Sequence, residues 1–73
     1  MMTQKEAIKR HLEAGQTITP LEALHEYGTI RLGAYIHELR KEGLNIRTTM
    51  VRSFNGKTFA EYSLVPREAQ VSA

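Results

Sequence analysis

Seventy-three residues make one small domain, and a chain of this size buries only about 60% of its unfolded surface, so its core is thin. There is no cysteine, which excludes disulfides, thiolate metal sites and cysteine nucleophiles, and no long apolar N-terminal run, so the cytoplasm is the expected location. The net charge of +2 does not by itself indicate a nucleic-acid partner, but it is unevenly spread. Residues 1–28 carry three cations against four carboxylates, whereas residues 29–65 carry six cations against three. The basic half is the one that would attract phosphates.

Residues 1–2 read as a frayed start. Thr3-Gln4-Lys5-Glu6 has the form of a capping box, a Thr hydroxyl answered by Glu three residues on. The helix it opens runs to about Ala14, with Gly15 as its stop, and Ala7, Ile8 and Leu12 form its apolar stripe. His11 borders that stripe, and Lys5, Lys9, Arg10 and Glu13 fill the outer side, so this helix reads as a packing element. Gln16-Thr17-Ile18 is a link able to form a brief strand. Thr19-Pro20-Leu21-Glu22 then repeats the capping signal, with Pro at the first helical position, where its missing N–H costs nothing. This second helix spans 20–27 and is expected to bury Leu21, Leu24 and Tyr27.

Gly28 turns the chain, Thr29 is the expected N-cap of the next helix, and Gly43 ends it, giving a third helix over 29–42. At about 100° per residue, Leu32, Ile36 and Leu39 fall on one stripe, with Thr29 and Tyr35 at its edges. The opposite side carries Ile30, Ala34, His37 and Lys41, a small and mildly cationic face with no acid at its centre. Two helices joined through one glycine and a cap residue match the short connection of a helix-turn-helix.

After Gly43 the periodicity changes from helical to alternating, and Asn55-Gly56 marks a hairpin turn. A two-residue loop would pair even positions with odd ones, placing Ile46 and Met50 on the face of Glu61 and Ser63. A three-residue loop, Phe54-Asn55-Gly56, pairs even with even, so that Ile46, Thr48 and Met50 share a face with Ala60, Tyr62 and Leu64. The buried face must be apolar, which selects the three-residue loop with Gly56 as the left-handed bulge residue. Val65-Pro66 ends the sheet, and residues 66–73 read as a disordered tail.

Helix, short strand, helix, turn, helix and hairpin are the order of an α+β winged helix-turn-helix domain, here over 3–65. In that architecture the third helix enters the major groove. Thr29, Ile30, Ala34, His37 and Lys41 then face the groove, Ile30 and Ala34 suiting thymine methyl groups and His37 a base edge or phosphate. Arg31 and Lys41 suit phosphates. Arg52, Asn55 and Lys57 form a wing, 52–57, for the backbone or minor groove. Phe54 at its tip can wedge against a sugar or base, pack back on the hairpin, or mark a protein contact.

Tyr27-Gly28-x-x-Arg31-Leu32-x-x-x-Ile36-x-x-Leu39-Arg40-x-x-Gly43-x-x-Ile46, followed by Tyr62-x-Leu64, resembles the small helix-turn-helix proteins of bacteriophages and prophages. The resemblance covers about residues 3–65 and implies a double-stranded DNA-binding regulator or DNA-architecture factor of phage or prophage origin. The competing class is a winged helix that docks on a protein through Ile30 and Phe54. Enzymatic activity is not expected, because the sequence has no Asp or Cys and its glutamates are scattered over helix surfaces. His11, His25 and His37 fall on three different helices at no ligand spacing, so neither metal nor cofactor is expected. One domain would cover one short half-site, so dimeric or tandem binding on DNA is expected.

Overall fold

In the computed structural model, which describes residues 2–65, the elements follow one another as α1 (Gln4–Glu13), α2 (Pro20–Tyr27), α3 (Leu32–Lys41), β1 (Ile46–Arg52) and β2 (Thr58–Leu64). The expected fraying at Met1 and the expected tail over 66–73 lie outside the described residues. The first two helices start where their caps are written. The Thr3 hydroxyl accepts the Glu6 N–H at 3.1 Å. At α2 the box closes both ways: Glu22 N–H donates to the Thr19 hydroxyl, and Thr19 N–H donates to the Glu22 carboxylate, at 3.2 and 3.0 Å.

The junction between α2 and α3 is longer than expected. Gly28, at φ +65°, donates its N–H to Leu24 C=O, and Thr29 N–H reaches Ala23 C=O, the paired closing bonds of a helix ending on a left-handed residue. Thr29 does not cap α3. It is buried, and its hydroxyl accepts the Arg31 N–H at 3.0 Å, so it folds the turn itself. Arg31 stands at the N-cap of α3 with no side-chain cap bond, and the helix begins at Leu32 instead of inside the turn.

The core joins Ile8 and Leu12 of α1, Ile18, Ala23 of α2, Leu32, Ile36 and Leu39 of α3, and Ile46 of β1. Tyr27, Tyr35, Leu44, Tyr62 and Leu64 pack around it. The expected stripe of α3 is therefore its buried stripe. That of α2 is not: Leu21 and Leu24 are 63% and 46% exposed, while Ala23 is fully buried. The inward line runs Thr19, Ala23, Tyr27 at four-residue spacing, about 200° around the helix from Leu21. Ala23 is buried in the core, and Tyr27, one turn on, packs against it partly buried.

The hairpin is antiparallel with Ile46 opposite Leu64 and Met50 opposite Ala60, the even-with-even register of a three-residue loop. Ile18 adds a single bridge, exchanging both backbone hydrogen bonds with Tyr62 at 2.9 and 2.8 Å. The even face is apolar, but only its base is covered. Ile46 is buried, whereas Met50, expected inside, is 62% exposed. Seven residues of strand span roughly 20 Å at about 3.3 Å per step, and burial ends at the base of that span.

Candidate nucleic-acid interface

Ala34, His37 and Lys41 lie on the solvent side of α3, with Ile30 beside it in the turn at 88% exposure. Arg31 is also exposed. On the hairpin, Arg52, Asn55 and Lys57 are exposed around the loop. Of the nine residues expected to meet DNA, eight are at the surface, and Thr29 is inside.

Three contacts hold α3 in place: two reach it from α1, and the third joins it to β1. Gln4, at the start of α1, donates from Nε2 to Tyr27 C=O and accepts the Tyr35 hydroxyl at Oε1, both at 2.9 Å. One side chain thus links the end of α2 to the body of α3. Lys5 Nζ hydrogen-bonds to Glu42 and lies 3.6 Å from Glu38 Oε1. The Glu42 hydrogen bond raises the Lys5 pKa above its usual value, and the same bond lowers that of Glu42. The consequence is electrostatic: both carboxylates of the α3 region, Glu38 and Glu42, are paired with a cation of α1.

Arg40 makes the third contact. Its Nε and Nη2 donate to Ile46 C=O at 3.2 and 2.8 Å, and Nη2 also reaches the Thr48 hydroxyl at 2.8 Å. It fastens the hairpin to α3. His11 supports α2 from below. Its Nε2–H donates to Thr17 C=O and its Nδ1 accepts the Tyr27 hydroxyl, both at 2.8 Å. Burial, and secondarily the nearby Glu26, push the Tyr27 phenol above its usual pKa, which keeps it protonated as the donor.

The wing tip is closed by its own groups. Ser53 N–H donates to Lys57 C=O at 2.8 Å and Gly56 N–H to Ser53 C=O at 3.0 Å. The Asn55 side-chain oxygen accepts the Lys57 N–H at 3.2 Å and also takes the Ser53 hydroxyl. Gly56 sits at φ +86°, the left-handed bulge position. Phe54 touches none of this and is fully exposed.

A family model described as a winged helix-turn-helix domain matches residues 3–67. The chain belongs to that family. No curated protein and no solved structure gives a significant match. Winged helix-turn-helix domains are typically DNA-binding, non-enzymatic modules, and this one carries the parts such a module uses: an exposed face on α3 and a cationic hairpin. Among the described residues no group of His or Glu could hold a metal ion, and no helix is long and apolar enough to cross a membrane.

Proposed function

We propose that this winged helix-turn-helix protein binds double-stranded DNA, with the exposed side of α3 in the major groove and the wing on the backbone or minor groove. Ile30 and Ala34 read thymine methyl groups, His37 reaches a base edge or phosphate, and Arg31, Lys41, Arg52 and Lys57 hold phosphates, with Asn55 beside them. The observation that carries this reading is that the cations of α3 and the wing face solvent while the α3 carboxylates are engaged by Lys5. The role is that of a cytoplasmic phage or prophage transcription regulator or DNA-architecture factor. Two copies sit on adjacent half-sites, since one domain spans too few base pairs for useful specificity.

Fluorescence anisotropy with a mixed-sequence duplex over a salt series tests it. Micromolar binding at low salt should fall with a log–log slope of roughly −3 to −6, the signature of about three to seven phosphate contacts. Lys41→Ala and Arg52→Ala should each weaken binding to all sequences and flatten the slope by about one unit. Absence of binding at low salt overturns the reading. It would favour protein docking instead, which the exposure of Ile30 and Phe54 supports.

A further inference from the structure

We infer that Phe54 is a wedge: on DNA it enters the minor groove and partly unstacks one base step, so that the wing bends the duplex instead of only lying along it. The inference rests on the DNA-binding reading and adds a mechanical step to it.

The ring is fully exposed at the tip of the hairpin, and it does not pack back on the strands as a residue at a strand end commonly does. Its backbone is held by a closed set of bonds from Ser53, Asn55, Gly56 and Lys57. The tip is thus built before any partner arrives, and inserting the ring requires little further ordering. Lys57 N–H fixes the orientation of the Asn55 amide by donating to its oxygen. The amide nitrogen therefore remains as a donor, the group that minor-groove acceptors on adenine and thymine require.

Charge selects the partner. From Gly43 to Ala60 the chain carries Arg47, Arg52 and Lys57 and not one carboxylate. Thr48, Thr49 and Thr58 add exposed hydroxyls along both strands. An apolar side chain at a tip flanked by Arg52 and Lys57, with the hairpin's one carboxylate, Glu61, three residue pairs back toward the base, matches a polyanion with apolar steps inside it. Proteins that kink duplexes use this combination, an apolar wedge between base steps and cations on the flanking phosphates.

The test is a mixed-sequence duplex of about 25 base pairs with a fluorescence donor and acceptor at its ends, long enough for a bend to register as energy transfer. Wild type should raise the transfer on binding, as a bend of tens of degrees would. Phe54→Ala should bind roughly ten-fold more weakly, lose the bend, and keep the wild-type salt slope, because no phosphate contact is removed. Phe54→Leu, which keeps an apolar tip, should retain part of the bend. The ring has no contacts to lose, so both variants should melt with wild type. If Phe54→Ala binds and bends like wild type, the wedge is overturned while DNA binding stands. If wild type binds without bending, the wedge is likewise overturned. If wild type fails to bind duplex DNA at low salt, the underlying reading falls first.

Discussion

Gly56 shows how one residue sets the geometry of the wing. Its φ of +86° lies where side-chain-bearing residues are strained, yet a Cβ built there would meet nothing within 4 Å. Any cost of substitution is therefore conformational and not steric. Gly56→Val should destabilise the protein by about 1–3 kcal/mol, because a β-branched residue resists the left-handed region. Calorimetry checks it, and an unchanged melting temperature would remove the bulge as the source of the loop's shape. Phe54 and Asn55 depend on that shape, since it is the bulge that sets them at the tip. Thr29 gives the opposite lesson at the same scale. A Thr before a helical stripe is a good cap by type, but its hydroxyl is used one step earlier, on Arg31 N–H, and its side chain is buried.

At the scale of elements, α2 is the one whose face the sequence misstates. Leucines at 21 and 24 are the natural candidates for burial, whereas the helix turns Ala23 inward and leaves both leucines at the surface. Ala23 is fully buried, and a close-packed interior leaves little room there for a larger side chain. Ala23→Leu should therefore cost about 1–3 kcal/mol by overpacking. Leu21→Glu should change stability by less than about 0.5 kcal/mol, as surface substitutions do. Urea denaturation of the two variants decides between the faces, and a severe loss from Leu21→Glu would restore the leucine face. α3 behaves differently because its stripe of Leu32, Ile36 and Leu39 is unambiguous, with small or polar residues everywhere else around the helix.

For the molecule as a whole, contacts between distant parts of the chain set the presentation of α3. Lys5 and Glu42 are 37 residues apart and exposed, so their attraction is modest and screened by salt. Its pH dependence has a definite sign. The Glu42 pKa is lowered in the folded state from its ordinary value of 4.5, so its contribution is present above that value and is lost as pH falls through the folded value. The Lys5 pKa is raised from 10.5, so its contribution is present below that value and is lost as pH rises beyond it. Thermal melts of wild type and Glu42→Gln should differ at neutral pH in dilute buffer and converge as pH drops below about 4.5. A difference that persists undiminished in acid would show that Glu42 acts other than through its charge. Gln4 joins Tyr27 and Tyr35 in the same region, so α1 is a brace for the helix-turn-helix and not only its packing partner.

Local chemistry was enough to determine the order of elements, the caps of α1 and α2, the buried stripe of α3, the hairpin register and most of the exposed cations. Each of these follows from spacing within a few residues: a Thr and a Glu three apart, apolar residues on one helical face, a parity rule across a turn. Tertiary structure alone decided the rest. It placed Thr29 inside the turn, exposed Leu21, Leu24 and Met50, hung the hairpin on Arg40, and turned Glu38 and Glu42 toward Lys5. Those outcomes depend on which side chains the core encloses and where along the hairpin burial ends. Both are set by packing among residues far apart in the chain, and no local spacing encodes them.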